Sequence, residues 1–347
     1  MVLLVPKPLS NKKAFLSLLL FTCWYQFLTL LSVFNILKLN HSLYVYIKSS
    51  PKETSVRQQL RESFGSQLSV RKIAYKFVLA ESSNPTVSLA IKEENSRTGD
   101  LLIFDHFEDS YPVVWKKYAA IFDWHLKRQP AHSSLLVVDS DGVIFPDNLL
   151  RFWAKNRWFS AGTASRMAGM CTCSDTFLPQ IFSPCWVGTL VEFYKVPVHR
   201  DQWSKFNTLQ DSWQREFFPH YCIGCSQLIT GSAAAILRME LERMSRDLTE
   251  TVNDDVMMGF SRYLHNVYYY DFGRTMKILV PGGFDYFNAM QSCTKRWSSC
   301  VSIHNLDFRN VSAVWDTYQS RNGKPQLLFR SVGRSVYHCI INPKPLD

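Results

Sequence analysis

Four apolar residues, Leu135–Val138, run directly into Asp139-Ser140-Asp141-Gly142. A buried strand that ends in D-x-D carries two carboxylates at its tip. Alternate residues there can reach one cation, and hard oxygen donors suit Mg2+ or Mn2+. An Asx-type turn that only ends the strand has the same composition, so the turn alone leaves both readings open. A second acidic pair, Asp254-Asp255, precedes Val256–Leu264, which reads as a helix. Carboxylates at a helix start are stabilised by the positive end of the dipole, and an N-cap pair without chemistry is the plain reading of such a pair. The close pairs Cys171/Cys173 and Cys222/Cys225 do not form two matching C-x-x-C knuckles, which argues against zinc.

Two chemistries compete for the acidic turn. A divalent cation bridging to a diphosphate explains the paired carboxylates. Alternatively, VVDSDGVIF is similar to the first motif of haloacid-dehalogenase-type phosphatases, in which Asp139 is the covalent nucleophile and Asp254-Asp255 a later metal-binding pair. That second reading leaves the upstream segments unexplained.

The elements that must position these residues alternate in type. Lys72–Ala80 reads as a strand, Val87–Glu94 as a short helix, Asp100–Phe104 as a strand, Val113–Arg128 as a long amphipathic helix and Leu135–Val138 as a strand; Ser232–Met244 is helical further on. This order predicts an α/β domain on a largely parallel sheet, with ligands at the carboxyl ends of the strands. Before it, Ala14–Leu37 is a run of 24 residues without a charge, long enough at about 1.5 Å per residue to cross a hydrocarbon core of about 30 Å. Lys7, Lys12 and Lys13 precede the run, which favours a cytoplasmic N-terminus. The reading is therefore a tail over residues 1–13, a single signal-anchor helix over 14–37, a polar stem over 38–54 and a lumenal domain over 55–347.

The 347 residues are 46% hydrophobic and 20% charged, which excludes disordered, collagen-like and coiled-coil chains. A net charge of +10 suits an anionic ligand; the scattered basic residues and the placement across a membrane disfavour nucleic acid. Eight of the nine cysteines (Cys171, Cys173, Cys185, Cys222, Cys225, Cys293, Cys300 and Cys339) follow the apolar run, an even number that suggests disulfides in an oxidising compartment. The sequons at Asn40 and Asn310 are glycosylation candidates on the same side.

An ordered series of motifs over about residues 55–315 resembles the β-1,3-galactosyltransferase family, Golgi enzymes that include β-1,3-N-acetylglucosaminyltransferases and are related to the Fringe proteins. Arg57-Gln58-Gln59-Leu60-Arg61-Glu62-Ser63-Phe64-Gly65 is similar to R-x-x-I-R-x-T-W-G, and Gly99-Asp100-Leu101-Leu102 to G-D-I-I. Phe107-Glu108-Asp109-Ser110-Tyr111 matches F-x-D-S-Y, and Lys117 and Trp124 stand where the following helix carries Lys and Trp. Asp139-Ser140-Asp141 occupies the D-D-D position. Later, Lys205-Phe206, Trp213 and Phe218-Pro219-His220-Tyr221 resemble K-W, Y and Y-P-P-Y; Cys222-Ile223-Gly224 stands for C-S-G and Asp254-Asp255-Val256 for E-D-V. Val301-Ser302-Ile303-His304, with Trp315 downstream, is similar to the family's histidine segment. The departures are Phe64 for tryptophan, Ser140 for the middle aspartate, Asp254 for glutamate and Val113-Val114-Trp115 for N-L-T.

The resemblance implies a GT-A-type, Rossmann-like domain with a central mostly parallel sheet flanked by helices. It implies a metal-dependent, inverting transfer of galactose or N-acetylglucosamine from UDP-galactose or UDP-N-acetylglucosamine to a glycoprotein or glycolipid glycan in β-1,3 linkage. Under it, Asp141, Asp139 and His304 hold Mn2+ (or Mg2+), and Asp255, with Asp254 second, is the general base. Arg57, Arg61, Asp109 and Ser140 lie on the donor side, and Trp213, Tyr221 and Gly224 on the acceptor side. The alternatives are the phosphatase and a lumenal chaperone or binding relative without turnover.

Overall fold

The computed structural model describes residues 20–26, 43–110, 113–130, 132–155, 165–169, 221–222, 226–247, 254–255, 258–259, 267–271, 276–278, 301–304, 311, 315–316 and 319. The elements run β1 (Leu43–Lys48), α1 (Thr54–Leu60), a π-helical turn (Arg61–Gly65), α2 (Ser66–Val70), β2 (Ala74–Glu81), α3 (Pro85–Thr98), β3 (Leu101–Glu108), α4 (Val114–Arg128) and β4 (Ser134–Asp139). They continue with β5 (Val143–Ile144), α5 (Pro146–Lys155), β6 (Arg166–Gly169), β7 (Ser226–Thr230), α6 (Gly231–Asp247), β8 (Tyr268–Asp271), β9 (Met276–Ile278) and β10 (Ser302–His304).

Seven strands form one sheet in the order β3-β2-β1-β4-β7-β6-β8, and β5-β10-β9 form a small second one. Strands β1 to β4 are mutually parallel, β7 is antiparallel to both neighbours, and β6 and β8 are parallel. The expected mostly parallel α/β sheet is what forms. From β1 the chain moves outward through β2 and β3 and then returns to place β4 on the other flank of β1. The β1/β4 junction is thus a switch point, where open α/β sheets bind ligands beyond the carboxyl ends of their strands.

Both faces of the sheet are covered. Val45, Ile47, Leu136 and Val138 pack in one core with Leu60, Phe64 and Trp153. Tyr46, Leu135 and Val137 pack in the other with Tyr118, Phe122 and Leu237. Two-sided burial is why these strands read as unbroken apolar runs. The segment read as a polar stem is corrected here: residues 43–48 are β1, between β2 and β4. Val45, Tyr46 and Ile47 are no more than 2% exposed. At about 1.5–3 kcal/mol per large buried apolar side chain, such a segment belongs to the domain, and the expected boundary at residue 55 moves back to at least Leu43. Of the apolar run 14–37, residues 20–26 are helical, with Leu20, Phe21, Trp24 and Tyr25 exposed; the rest lies outside the described residues. Among the described residues no helix is long and apolar enough to cross a membrane.

Local chemistry sets the element ends. The Asn84 side chain accepts from the backbone N–H groups of Thr86 and Val87 to cap α3, Pro85 fits its first turn, and Gly99 closes it at φ 64°. Gly65 closes the π-helical turn because a Cβ there would lie 2.8 Å from the Leu60 carbonyl oxygen. Phe64, in the place of the family's tryptophan, meets Trp315 edge to face at 6.5 Å.

A buried ionic lattice ties α1, α3 and β3 together. Arg57 is completely buried; its Nε and Nη2 donate to the two Glu94 carboxylate oxygens at 2.9 and 2.6 Å, and its Nη1 donates to the Ser50 carbonyl at 2.6 Å. Arg61 Nη2 donates to Glu94 at 2.7 Å, and its Nε and Nη2 donate to the two Asp100 oxygens at 2.8 Å. Burial alone would raise both carboxyl groups, but the hydrogen bonds from Arg57 and Arg61 to Glu94, and from Arg61 to Asp100, hold them below their ordinary values.

In the second core, Tyr46 Oη lies 3.1 Å from His125 Nδ1, and Ser133 Oγ lies 2.8 Å from His125 Nε2. Burial lowers this imidazole to about 4 from 6.5.

Two predictions follow from these groups. Arg57→Met leaves Glu94 buried with a weaker partner set and costs about 3–5 kcal/mol, read as a fall in the urea midpoint. Because the unfolded chain binds a proton at His125 below pH 6.5 while the folded ring stays neutral down to about pH 4, stability is full above 6.5 and declines as the pH drops through that window. The loss is on the order of 3 kcal/mol. Urea titrations at pH 7 and 4.5 should show this loss in the wild type and a much smaller one in His125→Gln.

Candidate functional site

The site forms where β1 and β4 end. Their parallel register pairs Lys48 with Asp139, so the last residue of each strand is a charged group beside one of opposite sign. Lys48 Nζ lies 2.9 Å from Asp139 Oδ1 and 3.3 Å from Asp254 Oδ2. It also donates to Tyr118 Oη at 3.3 Å and sits 4.4 Å from the centre of that ring. Burial by itself would lower the ammonium, but the Asp139 and Asp254 carboxylates outweigh it and hold Lys48 well above the ordinary lysine value. Tyr118, on α4, is driven well above the usual phenol value by burial. The charges of Asp254, Asp139 and Asp255 add to that, against the opposing pull of Lys48. One phenol thus senses both acidic segments.

The loop after β1 is latched to the acidic turn. The Ser140 hydroxyl donates to Glu53 Oε2 at 2.8 Å, and the same oxygen accepts from Ser50 N at 2.8 Å and Ser49 Oγ at 3.0 Å. A carboxylate at position 140, as in the family pattern, would face the Glu53 carboxylate; a hydroxyl donates to it. At the end of β3, Asp109 pairs with Lys117 Nζ at 2.7 Å, and Lys117 also donates to the Ser49 carbonyl at 2.9 Å. The lysine expected in this helix therefore fastens the ends of β1 and β3 to α4.

The histidine segment arrives through the small sheet. Strand β10 runs antiparallel to β5, with Ile303 opposite Val143. His304 follows Ile303 as the last residue of β10, and β5 begins directly after Gly142. Its side chain lies outside the described residues, and among the described residues no three His, Cys, Asp or Glu side chains cluster in a way that could hold a metal. The chemistry of the donor set still fits a hard cation: Asp139 and Asp141 stand at a strand tip, and the strand that carries a histidine is paired to β5, which follows that turn.

On the other side of Lys48, residues 254–255 and 258–259 are helical. The Asp255 amide donates to Asp254 Oδ1 at 3.1 Å. Tyr221 is pushed up to about 12 by burial, with a smaller contribution from the charge of Asp255. Trp213, Gly224, Asn40 and Asn310 lie outside the described residues. Arg57 and Arg61, expected on the donor side, have their guanidinium groups engaged by Glu94, Asp100 and the β1 loop in the ionic lattice.

Lys48, Glu53 and Tyr118 escaped the sequence reading as site residues. A signal existed for Lys48: a single cation directly after Val45-Tyr46-Ile47 has the same strand-tip position as Asp139 after Leu135–Val138. Glu53 and Tyr118 carry no spacing signal, because their partners come from segments remote in sequence.

The galactosyltransferase family model matches residues 55–271. Human N-acetyllactosaminide β-1,3-N-acetylglucosaminyltransferase 3 is 27% identical over 226 residues, covering 62% of this chain and 52% of its own. The human acetylgalactosaminyl-O-glycosyl-glycoprotein β-1,3-N-acetylglucosaminyltransferase is 26% identical over 204 residues, covering 56% and 46%. The chain therefore spans about half the length of the curated relatives it matches. Among solved structures it is similar to a glycosyltransferase involved in glycosylation of the major capsid of PBCV-1, with a TM-score of 0.41, 9% identity and coverage of 79% of this chain and 98% of the other. That likeness is too slight to bear on the site. With the family model matching more than half of its residues, the chain belongs to the galactosyltransferase family.

Proposed function

We propose that this protein is a hexosyltransferase that moves galactose or N-acetylglucosamine from a UDP-sugar to a glycoprotein or glycolipid glycan. Transfer is in β-1,3 linkage with inversion, on a GT-A-type domain. The observation that carries the reading is the meeting of Asp139 and Asp254 on Lys48 at the β1/β4 switch point of a chain in this family; the pairing of the histidine strand with β5, just after the D-x-D turn, supports it. The phosphatase reading finds no support in the family match, nor does a relative without turnover.

Asp141 and Asp139, with His304 from the paired strand, are the residues to hold Mn2+ or Mg2+. When bound, such a cation acts as a Lewis acid toward the departing nucleotide diphosphate. Asp255 is the general base: it takes the proton of the acceptor hydroxyl as that oxygen bonds to the anomeric carbon and the bond to UDP breaks. Asp254 stands beside it, held by Lys48. Tyr221 borders the acceptor side, with Trp213 and Gly224 assigned to the same side. Asp109 and Ser140 order the donor-side loops, and Arg57 and Arg61 support those loops from below. The apolar run 14–37 supports a type II anchor in the Golgi membrane, and the disulfide at Cys222 is in keeping with an oxidising lumen.

The test pairs two substitutions. Asp141→Ala should abolish Mn2+-dependent UDP binding measured by calorimetry. Asp255→Asn should keep that binding and lower transfer by about 100- to 10,000-fold. Equal UDP binding by wild type and Asp141→Ala would falsify the metal assignment.

A further inference from the structure

The reaction as outlined gives Lys48 no chemical step, yet its side chain contacts both acidic segments. It is buried, and its ammonium has three oxygen partners: one on the metal-side turn (Asp139), one in the base pair (Asp254) and one on α4 (Tyr118). Asp139 and Asp254 come from segments remote in sequence, and like charges brought together in a partly buried cleft repel unless a cation lies between them. The cation here is covalently part of β1 and is fixed by register opposite Asp139. Its backbone is held by the sheet, and its ammonium by the oxygens of Asp139, Asp254 and Tyr118.

We propose that Lys48 is a positioning residue that couples the donor and acceptor halves of the site. By bridging Asp139 to Asp254 it sets where Asp255 stands relative to the sugar-nucleotide, and by neutralising part of the acidic turn it keeps the turn from binding a divalent cation too tightly before the nucleotide arrives. The inference rests on the transferase reading. It adds that the distance between the metal side and the base is set by one buried ammonium rather than by substrate.

The test uses the full chain in detergent. Without nucleotide, Lys48→Met should bind Mn2+ about tenfold more tightly than wild type, read from the paramagnetic resonance of free Mn2+, because one local positive charge is gone. Its kcat for transfer should fall about 100-fold with little change in the KM for the donor. Adding Asp254→Asn to Lys48→Met should cost much less than Asp254→Asn costs alone, the non-additivity expected of residues that act as a unit. Lys48→Arg, which keeps the charge, should return the Mn2+ affinity to the wild-type value. Where Lys48→Met does not fold, as judged by circular dichroism, Lys48→Gln replaces it with the same expectations. A folded variant with unchanged Mn2+ affinity and unchanged kcat overturns the inference while leaving the transferase reading intact. A wild type that binds no Mn2+ and transfers no sugar overturns both.

Discussion

The pairing of Lys48 with Asp139 across the β1/β4 junction is the contact on which the site depends. It requires three things at once: β1 as a central strand, a parallel register that brings two strand tips level, and burial on both sheet faces. Once the strand tips are level, a lysine and an aspartate are forced together in a place poorly screened by water. A buried cation without partners is unstable by several kcal/mol, so other carboxylates are drawn to it. Asp254 answers that demand from a late segment, which brings the acidic pair to the D-x-D turn.

Two ionic clusters therefore divide the work. The lattice of Arg57, Glu94, Arg61 and Asp100 is closed on itself, with both arginines forked onto carboxylates. It supports the loop that follows β1 from beneath. In the cluster of Lys48, Asp139 and Asp254 the lysine is buried and Asp139 is partly exposed. Between them, Glu53 gathers Ser49, Ser50 and Ser140 onto one carboxylate oxygen. The serine in the middle of the acidic turn is then more than a loss relative to the family pattern. It converts a position that would repel Glu53 into one that fastens the turn to the β1 loop.

The neighbouring groups show how the same fold sets charge states differently a short distance apart. His125 lies among Tyr44, Tyr46 and Ser133, with no carboxylate partner among the described residues, and stays neutral well into the acid range. Lys48, on the opposite end of the same strand run, is surrounded by carboxylates and stays charged. Burial is common to both; the partners decide the sign.

Residue types and their order were enough to find the alternating strands and helices, the D-x-D tip, the acidic pair before a helical segment and the family. Those features are local: apolar runs of strand length, caps such as Asn84 and Gly99, and motifs held within a few residues. The central strand was read as a stem because Leu43–Lys48 is short and lies between polar stretches, and only its place between β2 and β4 makes it core. The motif resemblance put Arg57 and Arg61 on the donor side, and nothing in their spacing showed that the fold sets Glu94 and Asp100 against them. The bridge from Asp139 through Lys48 to Asp254 was decided by tertiary structure alone, since strand register and long-range charge pairing depend on which segments meet, and spacing along the chain does not encode that meeting.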